Sequence, residues 1–495
     1  MGALPLAPPT APPVQGPSAP LWTVGPAAVF ALVQLAVVVP GSSLGWDEIV
    51  YVSQVQPETP AAYFSAPRAR GISYLVAPVA ALTTSTTALR VWLALLSSGA
   101  LYLVLRTWRR LLPPPVLGCA GLLFAGLWVS LYYGPRAMPN LWCALGALAA
   151  AGRLLRAERP GGSGRAAAAG AGAAVALVTV MRPVDGVWLA LPLTGAALLT
   201  GGLRRPLLWA APPVGVLAGA VPWVAEAYTA YGGLAARLAR ASEIQGGIGA
   251  HFAVDDHVRS LVGVTLCRPC DAAWAHPWTA AWWLVLPLLV GVGTVAARRA
   301  GRGRPAAVAA AVGACLALPY LFTVDYAAPR FLLPAYALLA VPAAECVAAA
   351  FAVARARAGT AGRRRAAYGA LAGVLLLHVA VQAAVLLRVS ERSRDRHREL
   401  AAVAAALHRI DVRRPCVLSG DEAIPLAYYT GCASRQVGGH DGSTTADGLA
   451  SLGRRIPVAV ITSGGARPPH YASAWPVFDL PGGYAARVVP RGRAG

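Results

Sequence analysis

Apolar residues in this chain fall in long runs broken by short polar stretches. That is the pattern of bilayer-crossing helices rather than of a soluble core. A crossing helix needs about 20 mostly apolar residues, and in lipid it satisfies its own backbone groups. Eleven runs qualify: 21–41, 88–107, 113–133, 139–155, 166–182, 184–201, 206–228, 278–297, 306–324, 328–350 and 367–388. Only Arg182-Pro183 separates the fifth from the sixth, and two spans are expected there because the later arginine loops then keep their phase. Ala77–Leu82 is apolar but too short to span, so an amphipathic interfacial helix is expected. The pattern predicts a membrane body over 21–388, preceded by a Pro-rich, uncharged, disordered tail over 1–20. From 389 the character changes. SERSRDRHRELAAVAAALHRI has helical spacing, and PCVLS, PVAVIT and YAARVV read as strands, which together predict a small α/β domain over 389–495.

Composition supports a membrane protein, with 57% hydrophobic and 13% charged residues and a mean hydropathy of +0.55. The formal charge is +22, and all 43 basic residues are arginine. A basic chain can signal nucleic acid. Here the arginines crowd into every second short loop, which is the positive-inside pattern, and nucleic-acid binding is excluded on that ground. The same pattern predicts a multi-pass plasma-membrane protein with a cytoplasmic N-terminus. Loops 42–87 and 229–277 and the C-terminal domain are expected on the extracytoplasmic side. No strong internal repeat is visible, which argues against an inverted-repeat transporter.

The sharpest chemical signal is GSSLGWDEIVYVSQ, directly after the first span. Asp47 and Glu48 sit at the membrane boundary, where partial desolvation is expected to raise a carboxyl pKa and suit it to proton transfer. An equally weighted reading makes them caps of the following helix. Arg68 and Arg70 follow in the same loop, either as an oxyanion-binding pair or as an interfacial anchor. Arg136, Arg182 and Arg330 break the positive-inside rule at outer span ends. They are expected to line an anionic-ligand pocket, or to pair locally, Arg182 with Asp185 and Arg330 with Asp325. HFAVDDHVRS places Asp255, Asp256 and His257 in the second large outer loop, and Asp325 and Tyr326 precede a late span. These form a candidate acceptor or second acidic site. For Cys267, Cys270, Cys416 and Cys432, disulfides are the favoured reading outside the cytoplasm, with a zinc site at Cys267, Cys270 and His276 as the alternative.

GWDEIVY, SAPRARGISYLVAPVAALTTSTTALRVWLALLSS, GPRAMPNLWCALGALA and DYAAPRFLLPAYALLA together resemble the GT-C glycosyltransferases, in the branch of protein O-mannosyltransferases and aminoarabinose transferases. The resemblance covers about residues 20–350. It implies a GT-C-like membrane fold that transfers a sugar from a polyprenyl-phosphate donor to a glycan, lipid or protein hydroxyl on the outer face, with inversion. It makes Asp47 the general base and Glu48 its support, with Arg68, Arg70, Arg136, Arg182 or Arg330 on the phosphate. No cofactor is required by it; some relatives use a divalent metal, and nothing in this sequence demands one. Ala66-Pro67-Arg68 stands where the family has His-Pro-Pro. The competing readings are a flippase for lipid-linked sugars, which needs the arginines but no base, and a non-catalytic scaffold.

Overall fold

Where a proline follows a residue, that residue is pushed out of the helical region. Arg182 shows the effect at φ −153°, ψ 103°. Helix Gly164–Met181 stops before it and helix Pro183–Leu199 starts after it, so two helices meet there. The computed structural model describes residues 20–158, 163–247, 249–271, 274–357 and 359–490. Nearly all of the expected N-terminal tail lies outside them.

Among the described residues, eight helices are long and apolar enough to cross a membrane. They are Leu21–Val38, Thr86–Trp108, Gly164–Met181, Pro206–Ala230, Pro277–Arg299, Gly303–Phe322, Pro329–Arg357 and Ala361–Arg409. Each falls on an expected span. The count of eleven is not reached, for reasons that differ by segment. The run 113–133 is broken by Gly126-Leu127 into Pro114–Ala125 and Trp128–Tyr133. Pro139–Arg156 is buried on nearly every side, so its neighbours are protein and its sequence need not be uniformly apolar. Pro183–Leu199 has 17 residues. The short helix expected at 77–82 is Gly71–Ala80, with Ile72, Val76 and Ala80 buried and Tyr74 exposed.

Helices close to van der Waals distance where side chains are small. Gly293 on Pro277–Arg299 faces the Pro342 carbonyl so closely that a Cβ would stand 1.8 Å from that oxygen.

The last helix runs unbroken for 49 residues, Ala361–Arg409. At 1.5 Å per residue it is about 70 Å long, more than twice a hydrocarbon core. The expected boundary at 389 therefore falls inside a helix, whose far end is part of the C-terminal domain. Leu400, Val403 and Leu407 pack with Leu418, Leu426 and Ile461 against one sheet face, while Val417, Val458, Val460 and Leu449 fill the other. The strands are β1 (Val417–Gly420), β2 (Ala433–Ser434), β3 (Val458–Ser463), β4 (Val477–Leu480) and β5 (Tyr484–Val488), in the order β2-β1-β3-β5-β4. β1 runs parallel to β2 and β3, and β5 runs antiparallel to β3 and β4. A disulfide joins Cys416 to Cys432 at the β1–β2 edge, and another joins Cys267 to Cys270. The second pairing removes those thiols from the zinc alternative.

Gly293→Val forces a side chain into the Pro342 carbonyl. It is expected to cost about 1–3 kcal/mol by overpacking, read as a lower melting temperature of the detergent-solubilised protein, while Gly291→Val, where a Cβ meets nothing within 4 Å, leaves the melting temperature unchanged.

Candidate active site

The first span ends at Val38 and a seven-residue helix, Trp46–Val52, follows it. Gly45 is its extended N-cap, and the Gly45 N–H donates to Glu48 Oε2 at 2.8 Å. Glu48 thus takes the capping role, but that is a small part of its environment. Arg90 donates to both of its oxygens, the Oε2 contact at 2.8 Å. Arg136 Nη1 reaches Oε2 at 2.8 Å and the Ala137 N–H reaches Oε1 at 2.7 Å. The side chain is 2% exposed. Burial pushes its carboxyl up, but Arg90 and Arg136 outweigh burial and hold it down at about 2. Glu48 is an anchor with no free lone pair directed at a ligand.

Asp47 points the other way and is a third exposed. Arg68 Nη2 donates to Oδ1 at 2.6 Å and Arg330 Nη2 to Oδ2 at 3.2 Å. Burial again raises the carboxyl, yet Arg68 and Arg330 more than offset it, so its pKa is lowered. The expected upward shift is therefore corrected. Desolvation at the membrane boundary is present, but two guanidiniums stabilise the anion more than burial disfavours it.

The five expected arginines separate into two groups. Arg68 and Arg330 converge on Asp47. Arg182 borders them, since the Phe331 ring lies 5.3 Å from the guanidinium carbons of both Arg182 and Arg330. Arg182 also keeps its local partner, Asp185, at 3.5 Å. Arg330 pairs with Asp47 and not with Asp325, and it donates to the Thr265 carbonyl at 2.9 Å. Arg136 is committed to Glu48, to Ser393 Oγ at 2.9 Å and to the Tyr132 ring at 3.9 Å. Arg70 turns away to Glu226 at 2.7 Å and to Gln54 at 2.9 Å, over the Phe64 ring.

The second acidic set does not join Asp47. Asp255 pairs with Arg259 at 2.5 Å on its own short helix. His257 is 1% exposed, and its Nε2–H donates to the Tyr320 carbonyl at 3.1 Å. Burial holds its pKa down near 4. Asp325 is exposed beside Gly246, and the Tyr326 ring lies under Arg268 at 4.6 Å. Among the described residues, no three His, Cys, Asp or Glu side chains come together as a metal set. Both Asp47 oxygens are occupied by guanidiniums, so this donor set does not suit a divalent cation.

Three contributors escaped sequence reasoning. Arg90 sits near the start of the second span and is fully buried. In the expected topology its position breaks the positive-inside rule just as Arg136 does, and that signal was available. Arg237, held between Trp223 and Tyr231 at 4.3 Å from each ring, donates to the backbone carbonyls of Ala66 and Arg68 at 3.1 and 2.9 Å and fixes the loop that carries Arg68. Asp441 of the C-terminal domain reaches Arg68 Nη1 at 3.9 Å. Nothing in its local sequence marks it.

No family model and no curated protein sequence matches the chain. Solved structures do. The aminoarabinose transferase ArnT from Cupriavidus metallidurans, in a crystal structure bound to undecaprenyl phosphate, matches with a TM-score of 0.67 at 14% identity over 97% of this chain and 100% of that one. Its apo form gives 0.62 at 15% identity over 96% and 98%. The oligosaccharyltransferase AglB from Archaeoglobus fulgidus, in complex with an inhibitory peptide and a dolichol-phosphate, gives 0.51 at 12% identity over 90% and 70%. The chain therefore has the GT-C fold: a helical membrane body and a small C-terminal sheet domain. This agrees with the fold expected from the motif resemblance.

Arg90→Leu leaves Glu48 buried without its main partner and is expected to cost about 3–5 kcal/mol, seen as loss of monodisperse protein on detergent extraction. The Glu48 carboxyl is held below its ordinary 4.5, at about 2. Its contribution to stability is therefore complete above about pH 4.5 and is lost as pH falls toward 2. Melting temperatures taken from pH 7 downward should show this contribution constant to about pH 5 and declining below it. A Glu48→Gln protein should lack that component of the decline.

Proposed function

We propose that this protein is a membrane glycosyltransferase that moves a sugar from a polyprenyl-phosphate donor to an acceptor hydroxyl on the extracytoplasmic face, with Asp47 as general base. The observation that carries the reading is an ionised, partly exposed carboxylate clamped by two arginines, one of which shares an aromatic ring with a third arginine. The GT-C fold supports it. ArnT binds undecaprenyl phosphate in its crystal structure and AglB is seen with dolichol-phosphate, which makes a lipid phosphate the natural donor group.

In this mechanism the acceptor hydroxyl gives its proton to Asp47 as its oxygen attacks the anomeric carbon. The bond from that carbon to the phosphate oxygen breaks on the opposite face, which inverts the centre. Charge gathers on the departing phosphate, and preorganised guanidiniums there lower the barrier. Arg330 and Arg182 fill that role. Arg68 is bound to Asp47 more closely than Arg330 is, at 2.6 against 3.2 Å, and it orients the base. A phosphate that engages Arg330 draws on the guanidinium that also restrains Asp47, so donor binding raises the basicity of Asp47. The low pKa of the ligand-free site then protects the base from protonation until the donor arrives.

Asp47→Asn removes the base while keeping the shape. Transfer is expected to fall roughly 10²–10⁴-fold with expression unchanged, measured by mass spectrometry of envelope glycans from a complemented deletion strain. Full transfer by this variant would remove Asp47 from its role. A flippase would instead show altered sidedness of the lipid-linked sugar. Arg330→Ala should weaken binding of undecaprenyl phosphate by at least tenfold in a titration of the purified protein.

A further inference from the structure

The C-terminal domain stands over the site, and three contacts show how closely. Tyr428 and Tyr429 on helix Ala423–Thr430 face the Gln56 side chain and the Leu44 backbone. The loop after β2 is pinched at its neck, where the Ser443 N–H donates to the Gln436 carbonyl at 2.8 Å and Ser443 Oγ accepts from the Gln436 N–H at 3.2 Å. The Gln436 side chain closes on Gly420 at the end of β1 at 3.1 and 2.8 Å. At the tip, the Gly439 carbonyl accepts from Arg240 at 3.4 Å.

This anchored loop carries Asp441 to Arg68 at 3.9 Å and against Trp46, the residue preceding Asp47. Asp441 thus touches both flanks of the candidate base. Its side chain is half as exposed as that of Asp47, 17% against 34%. Burial raises its carboxyl above the ordinary range, against the opposing pull of Arg68.

Charge decides what fits between these two carboxylates. Arg68 is already shared by Asp47 and Asp441, so the guanidinium that faces the gap is engaged by two carboxylates. An anion entering there would meet two carboxylates. A group rich in hydrogen-bond donors would be held by both.

We propose that Asp441 is an acceptor-recognition residue, and that the acceptor is a polyhydroxyl group whose reacting hydroxyl meets Asp47 while a neighbouring hydroxyl donates to Asp441. This rests on the transferase reading above and extends it. The site then has two sides. Arg330 and Arg182 face the lipid phosphate. Arg68, Asp441 and the exposed His440 face the incoming glycan, and the C-terminal domain supplies part of the acceptor subsite.

The test uses full-length protein added to membranes of a strain that lacks the gene. Methyl glycosides and their monodeoxy analogues are titrated as competitors of sugar transfer, and undecaprenyl phosphate binding is measured separately on the purified protein. In the wild type at least one methyl glycoside competes, and removal of one hydroxyl next to the reacting position weakens it about tenfold, the scale of one hydrogen bond to a charged group. In Asp441→Ala the parent glycoside weakens by the same factor and the deoxy analogue loses nothing further. Undecaprenyl phosphate binding stays within twofold. Asp441→Asn, nearly isosteric, gives the same readouts if alanine unsettles the loop. Tighter undecaprenyl phosphate binding with unchanged competition would overturn the proposal and make Asp441 a rival of the phosphate for Arg68. So would competition that no variant alters, or the absence of any competing glycoside. Wild-type protein that transfers no sugar would sink the transferase reading itself, which separates the two failures.

Discussion

The geometry around Asp47 depends on a carboxylate it never touches. Glu48 accepts five hydrogen bonds, two from Arg90 and one each from Arg136, Ala137 and Gly45. Those donors come from the second span, the segment before Pro139–Arg156, and the N-cap of its own helix. Arg136 continues to Ser393 on the last long helix. Removing a buried ion from water costs several kcal/mol, and only a fully hydrogen-bonded partner set offsets it. The cluster therefore has one arrangement that works. It fixes the rotation of helix Trp46–Val52, and because Asp47 is the adjacent residue, that rotation turns Asp47 outward.

Around this anchor the positive charges have separate duties. Arg90 and Arg136 hold the frame. Arg237, between two rings, holds the backbone on which Arg68 is presented. Arg68 and Arg330 hold the carboxylate itself. A chain with 43 arginines and no lysine suits this division, since the guanidinium keeps its charge when buried and offers several directed donors at once.

The apolar periodicity made most of the helical body legible, and eight expected spans coincide with long apolar helices. The expected strands at PCVLS, PVAVIT and YAARVV lie on β1, β3 and β5. β2 and β4 escaped, the first because it has two residues and the second because VFDL is mostly exposed. Asp47 was legible because an acidic pair after an apolar run is unusual. The direction of its pKa was not, because burial is visible in a sequence and the approach of Arg68 and Arg330 is not. The division of the arginines was equally hidden. Arg136 and Arg330 look alike as charges at span ends, and only the fold gives one to Glu48 and the other to Asp47. Asp441, 394 positions from Asp47 in the chain, is placed by tertiary structure alone.

The unbroken helix Ala361–Arg409 makes the C-terminal domain a passenger on a lever. From about residue 388 onward it extends some 30 Å past its apolar part, at 1.5 Å per residue. A change of about 5° in the tilt of the last span, within the range that bilayer thickness imposes on such helices, displaces its far end by about 3 Å. That is comparable to the separation of Asp441 from Arg68. A tilt of that size would be felt where Asp441 meets Arg68.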